Sequence, residues 1–222
     1  SILIILGVLL NMGTETALLR YIGEYGEEDL RSIKTIYSKM VSTVVAITLL
    51  VSIITYINSQ YILNWISVNG EFEFILIIFV IIVPIYTINM LNIELIRGLG
   101  NITLSEYIRG VNQPLLVAVV LFLVSNVDNI PILALGFSAI VSFIITTTYV
   151  KKIFKDIKRY QNKFLSIGKI LKNSMPLQIA SLGSILLANV DNLMIGAMQN
   201  ASSVGYYLIA FKISFVASFF LV

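Results

Sequence analysis

Long apolar runs alternate with short polar segments along the whole chain. Each run reaches or approaches the roughly 20 residues that an α-helix needs to cross about 30 Å of hydrocarbon. Alternating apolar and polar positions over about ten residues, typical of membrane β-strands, do not occur. The expected fold is therefore an all-α polytopic membrane protein. Seven spans are predicted, at approximately residues 1–23, 37–57, 72–95, 107–124, 130–150, 176–198 and from 206 onward.

Composition supports the same class. The chain is 58% hydrophobic and 12% charged, whereas a soluble domain has about 25% charged residues. Pro84 lies inside the third predicted span and is expected to kink it, since proline lacks a backbone N–H. The first and last apolar runs have no outer polar flank, so we expect a fragment of a longer protein with further helices at both ends.

The distribution of basic residues predicts the orientation. More than half of the 15 lysines and arginines lie in the connection 151–172, and such loops stay in the cytoplasm. By parity the loops 27–39 and 97–109 are also cytoplasmic, and both contain basic residues. The opposite loops, 58–73, 125–129 and 199–205, contain none. The predicted location is the cytoplasmic membrane, with three parts: helices 1–150, a basic cytoplasmic linker 151–172, and helices 173–222.

The chain has no Cys and no His, which excludes disulfides, thiol chemistry and ordinary zinc sites. No phosphate-binding loop, HExxH or GxSxG motif occurs, so we do not expect an enzyme or a cofactor. The net charge of +3 reflects topology, and nothing in it indicates a nucleic acid partner.

Charged residues inside the spans are the candidate functional groups, because one charge at mid-bilayer costs at least about 2.5 kcal/mol. Glu15 has no basic residue three or four positions away, and it is expected to face either a water-filled cavity or a partner on another helix. Arg20 and Glu24 are spaced to pair on one helix. Glu94 with Arg97, and Glu106 with Arg109, have the spacing of ordinary solvated pairs, or they contribute to a cationic vestibule.

Two further charges lie in the last two spans. Asp191 ends a face of small residues and is either satisfied within a packing seam or part of an ion or proton site. Lys212 lies at a similar depth. It either bridges to Asp191 or lines a cavity that attracts an anion.

Three segments resemble a known family. They are GTETALLRYIGEYGEEDLRSIKTIYSK, IELIRGLGN, and NSMPLQIASLGSILLANVDNLMIGAMQNASSVGYYLIAFKI. Together with the basic connection they are similar to the polysaccharide-export flippases of the multidrug/oligosaccharidyl-lipid/polysaccharide (MATE-like) superfamily. The resemblance implies two six-helix lobes around a cavity that opens alternately to each side, with this chain holding helices two to eight.

The resemblance also implies a substrate: an oligosaccharide on a polyprenyl pyrophosphate carrier, exported from the cytoplasmic leaflet and surrounded by membrane lipids. Arg20, Lys212, Arg97 and Arg109 would then bind the pyrophosphate, and Glu15 and Asp191 would couple transport to H⁺ or Na⁺. The alternatives are a cation-coupled antiporter of drugs or metabolites from the same superfamily, a non-transporting membrane scaffold, and a membrane-bound glycan assembly enzyme.

Overall fold

The computed structural model describes residues 9–25, 29–59, 61, 71–124, 130–155, 157, 167–199 and 201–219. Every regular element within these ranges is a helix, which confirms the all-α prediction. The elements are α1 (Thr14–Tyr25), α2 (Leu30–Ile57), α3 (Glu71–Gly98), α4 (Ile102–Tyr107), a π-helical segment (Ile108–Asn112), α5 (Gln113–Leu123), α6 (Ile130–Ile153), α7 (Ile167–Met198) and α8 (Ala201–Phe219).

Within the described ranges, four helical stretches are long and apolar enough to cross a membrane. They are Leu30–Ile57, Val80–Gly98, Ile102–Leu123 and Leu133–Ile153. They correspond to the second, third, fourth and fifth predicted spans and establish a multi-pass protein. The two remaining long helices, α7 with 32 residues and α8 with 19, have the length for a span and carry the polar residues discussed below.

The first predicted span is not one continuous helix. Its beginning, residues 1–8, lies outside the described residues, and the described part breaks at Met12 and Gly13, whose φ angles are 48° and 70°. Helix α1 then starts at Thr14, where the hydroxyl donates to the Asn11 carbonyl at 2.6 Å. A span predicted from apolar content alone therefore contains a backbone break next to its carboxylate, Glu15.

The break brings α1 into close contact with α7. A Cβ on Gly13 would lie 2.4 Å from the Ser174 carbonyl oxygen and 2.8 Å from the Gln178 nitrogen. Further along α1, the Tyr21 hydroxyl accepts a hydrogen bond from Asn173 at 3.1 Å. The early turns of α7 are thus packed against α1.

That contact also corrects the predicted start of the sixth span. The helix begins at Ile167, and Pro176 lies inside it. Proline in a helix removes one hydrogen bond. The turn before it is retained because Ile170 and Ser174 are both fully buried, with the Ser174 hydroxyl bonded to the Ile170 carbonyl.

The main core joins α1, α2, α3, α6 and α7 at one end of the bundle. Its buried members are Ala17, Leu18, Tyr21, Ile22, Ile33, Ile36, Met40, Leu91, Leu95, Ile96, Val150, Phe154 and Ile170. These residues come from the helix ends that the parity argument places on a single side of the membrane. Lys34 strengthens this end, since its ammonium donates to the backbone carbonyls of Phe154 and Ile157.

A polar network crosses the interior of the bundle between α2, α3 and α6. The buried Thr146 hydroxyl donates to Asn89 Oδ1 at 2.8 Å and accepts from Asn92 Nδ2 at 3.2 Å. Tyr37 donates its hydroxyl proton to Asn92 Oδ1. Hydrocarbon offers no hydrogen bonds, so these groups are retained by satisfying one another.

The π-helical segment follows from Pro114. An α-helix would pair the N–H of residue 114 with the Gly110 carbonyl, and proline has no N–H to give. The preceding turn is instead the wider π type, from Ile108 to Asn112. Arg109 lies in this turn, and the wider turn changes the direction in which its side chain leaves the helix.

Candidate functional site

Glu15 lies in the first turn of α1, just after the backbone break. Its Oε1 accepts a hydrogen bond from Asn11 Nδ2 at 2.5 Å. Asn11 is fully buried, and its Oδ1 has no hydrogen-bond partner. Glu15 also interacts electrostatically with Glu94 and Arg109. The hydrogen-bond partner of Glu15 is therefore the Asn11 amide, and the charges of Glu94 and Arg109 act on it from other helical segments.

Glu94 is the most buried charged side chain of this group, at 7% exposure. It is paired with Arg109, 15 residues further along the chain, through Arg109 Nη2 and Glu94 Oε1. Its second oxygen lies 3.8 Å from Arg97 Nη1. One buried carboxylate thus faces two arginines.

The predicted pairing of Glu106 with Arg109 is wrong. Glu106 lies 3.9 Å from Arg97, and Arg109 contacts Glu94. The physical reason is the π-helical segment, which begins two residues after Glu106 and alters the spacing on which an i,i+3 pair depends. The predicted proximity of Glu94 to Arg97 is confirmed.

Arg20 pairs with Glu24 on α1 at 2.8 Å, as their spacing predicts. The arginine side chain is 60% exposed. This pair lies within one helix, so it does not join the Glu15, Glu94 and Arg109 group through an ion pair.

Asp191 and Lys212 lie on the α7–α8 pair of helices and are both exposed. The Asp191 carboxylate accepts a hydrogen bond from the Tyr207 hydroxyl of α8 at 2.7 Å. The Tyr207 ring stacks on Phe211, with ring centroids 6.3 Å apart. The bond from Tyr207 takes the place of the lysine bridge considered for Asp191.

A cavity of about 260 Å³ lies elsewhere, between the ends of α2, α3 and α6. It is lined by Leu30, Ile96, Leu99, Asn101, Tyr149 and Ile153. None of these side chains carries a full charge, so this cavity is separate from the candidate charged residues. In the ranges that the structure describes, no three carboxylates converge as they would around a metal ion.

The structure therefore pairs Arg109 with Glu94, a residue whose spacing predicts an ordinary helix-end pair with Arg97. Asn11 and Tyr207 were also missed. Asn11 precedes Glu15 by four positions and bonds to it across the break at Met12 and Gly13. The amide is uncharged, so the charge pattern of the sequence does not indicate it.

Comparison with known proteins agrees with this architecture. A family model described as "Polysaccharide biosynthesis protein" matches residues 1–222. No curated protein and no solved structure matches the chain. The match covers the multi-pass helical region and every candidate residue.

The family comprises flippases of polysaccharides and lipid-linked oligosaccharides within the MATE-like superfamily, and its members are transporters rather than enzymes. Spans crossing the membrane, charged residues inside them and the match over all of the sequence point to one conclusion. The chain belongs to the polysaccharide biosynthesis protein family of MATE-like membrane transporters.

Proposed function

We propose that this protein exports lipid-linked oligosaccharide, the repeat unit of a polysaccharide, across the cytoplasmic membrane by alternating access. The observation that carries the proposal is the buried Glu94–Arg109 ion pair, which two separate helical segments assemble at one end of an apolar bundle, with Arg97 beside it. A scaffold without a polar substrate has no need of a guanidinium whose donors the protein satisfies only in part.

The pyrophosphate of the carrier is the expected anion. A guanidinium presents a planar fork of N–H donors that matches phosphate oxygens. Arg109 is the first candidate because its Nε is buried without a hydrogen-bond partner, although the side chain is 34% exposed. Arg97, Arg20 and Lys212 are the further candidates, and they are more exposed than Arg109.

Coupling to H⁺ or Na⁺ is assigned to Glu15 and Asp191. Glu15 has a buried amide beside it whose Oδ1 is a spare acceptor, and a carboxylate with an amide oxygen suits a small cation. The Asp191 carboxylate accepts a hydrogen bond from the Tyr207 hydroxyl, and Asp191 is exposed. A cation drives net transport only if it binds the inward and outward states with different affinity.

The lobes of the transporter are assigned as residues 1–150 and 173–222, joined by the cytoplasmic linker 151–172. Contact between them is supported by Gly13 against Ser174 and by Tyr21 against Asn173. The Tyr21 contact lies in the last turns of α1, toward the cytoplasmic side in the proposed topology, and the Gly13 contact lies just before the first turn of α1.

The test is transbilayer movement of a labelled polyprenyl-pyrophosphate oligosaccharide in proteoliposomes, with a H⁺ or Na⁺ gradient in either direction. Arg109→Gln is expected to slow movement at least about tenfold, the effect of removing a charged partner worth roughly 1.4 kcal/mol or more. Lys212→Gln and Arg20→Gln are measured beside it at matched folded amounts.

Arg31→Gln is the matched control, because Arg31 is an exposed arginine at the start of α2. It should move substrate at the parent rate. A parent protein that moves no substrate under either gradient contradicts the proposal. If it instead protects cells against toxic compounds, the antiporter alternative is favoured, and if it does neither, the scaffold is.

A further inference from the structure

The ion pair between Glu94 and Arg109 is incomplete on both sides. Glu94 offers one oxygen to Arg109, and its other oxygen, Oε2, is buried without a hydrogen bond. On the arginine, Nε is likewise buried without a partner. A guanidinium that faced two oxygens would use Nε and Nη2 together. The donors of Arg109 are thus only partly satisfied by the protein.

Arg97 is positioned to receive the same carboxylate. It lies one helical turn after Glu94 on α3, and its Nη1 is 3.8 Å from the unbonded Oε2. This distance is too long for a hydrogen bond and short enough for a change of side-chain torsion to close it. Glu94 can therefore exchange Arg109 for Arg97 without leaving its helix or losing a counter-charge.

Other carboxylates lie near this pair. Glu15 on α1 interacts electrostatically with Glu94 and Arg109, and Glu106 approaches Arg97 from α4 at 3.9 Å. Three carboxylates thus share two guanidinium groups. An arriving diphosphate can bind the fork of Arg109 with two oxygens, whereas Glu94 engages it with one.

We propose that Glu94 is an internal counter-ion that occupies Arg109 in the empty transporter and moves to Arg97 when a diphosphate binds. Glu94 is thereby a positioning residue that sets the affinity of Arg109 for the diphosphate. The inference rests on the proposed function, because it assigns a regulatory residue to that same anion site.

The experiment measures the Kd of inorganic pyrophosphate for the purified protein in lipid nanodiscs by isothermal titration calorimetry. Glu94→Gln keeps the shape of the side chain and removes the competing charge, and neutral hydrogen bonds are about half as strong as charge-assisted ones. We expect pyrophosphate to bind about tenfold more tightly, within the range typical of coupled sites.

Arg109→Gln completes a double-mutant cycle. If Glu94 acts through Arg109, the tightening caused by Glu94→Gln disappears in the Arg109→Gln background. Asp29→Asn is the matched control, because this carboxylate accepts a hydrogen bond from the Ser32 N–H at the start of α2 and takes no part in the Glu94, Arg97 and Arg109 contacts. The Kd of this variant for pyrophosphate should stay within about twofold of the parent value, because a residue without shared partners acts independently of the Glu94–Arg109 pair.

Glu94→Asp provides a second route if Glu94→Gln does not fold. Aspartate keeps the charge but is shorter by one methylene, so its hold on Arg109 is weaker, and its Kd should lie between those of the parent and Glu94→Gln. Unchanged or weaker binding in these variants overturns the inference. So does a parent that binds no pyrophosphate.

Failure of the inference differs from failure of the proposed function. A parent that transports the lipid-linked oligosaccharide, with a pyrophosphate Kd insensitive to Glu94, contradicts the counter-ion role alone. A tighter Kd in Glu94→Gln without transport of the lipid-linked substrate by the parent supports the counter-ion role and contradicts the proposed substrate.

Discussion

Replacing Gly13 by alanine should destabilise the contact between α1 and α7. Gly13 has a φ of 70°, a conformation that costs an L-residue about 1–2 kcal/mol. The added methyl group would also lie 2.4 Å from the Ser174 carbonyl oxygen and 2.8 Å from the Gln178 nitrogen. Both are backbone atoms, so relief requires movement of a helix rather than rotation of a side chain.

The magnitude follows from adding these two effects. Overpacking of a well-packed contact costs about 1–3 kcal/mol, and with the backbone strain the sum is about 2–5 kcal/mol. For a chain of this size each kcal/mol lowers Tm by about 2–4 °C. Gly13→Ala is therefore expected to lower Tm by roughly 5–15 °C.

The assay is thermal unfolding of the detergent-solubilised protein, followed by the loss of its monodisperse size-exclusion peak. Gly23→Ala is the matched control on the same helix, because a Cβ at Gly23 meets nothing within 4 Å. It should leave Tm unchanged or raise it, since alanine favours a helix by up to about 1 kcal/mol over glycine. Equal Tm values for the two variants would refute the close contact at Gly13.

Three other outcomes are expected. Thr146→Val removes a buried hydroxyl from the polar network and should lower the free energy of unfolding by about 1–3 kcal/mol. The exposed Thr148→Val should lower it less, and equal Tm values for the two variants would contradict this. Lys34→Met removes the ammonium that donates to two backbone carbonyls after α6, so proteinase K should cleave faster between α6 and α7. Lys34→Arg should not have this effect, and an unchanged cleavage rate in Lys34→Met would contradict the prediction. In the cysteine-free chain, Lys163→Cys should be shielded from an impermeant maleimide added outside cells and Ser125→Cys labelled; the reverse pattern contradicts the topology.

Local properties of the chain were sufficient to predict much of the architecture. Four of the predicted spans are helices long and apolar enough to cross a membrane, because hydrocarbon admits only segments that satisfy their own backbone hydrogen bonds. Pairing of Arg20 with Glu24 also followed from spacing, since both lie on one regular helix. The family resemblance, carried by three stretches of sequence, is confirmed by the match over residues 1–222.

The boundaries of the helices and the backbone break near Gly13 were harder to predict from the sequence. Ser1–Gly23 reads as one apolar run, yet its described part breaks at Met12 and Gly13. The break lies against α7, which is more than 150 residues away along the chain. Similarly, Pro176 looks like a helix start, but burial of Ile170 and Ser174 extends the helix back to Ile167.

The candidate site, too, was predictable from the sequence only in part. By itself the sequence determined which residues carry charge within apolar spans, because composition and position along the chain are sufficient for that inference. Only the tertiary structure decided that Arg109 pairs with Glu94 rather than with Glu106. The physical reason is that the pairing depends on the π-helical turn before Pro114, and the position of Arg109 in this turn cannot be read from the residue spacing of a regular α-helix.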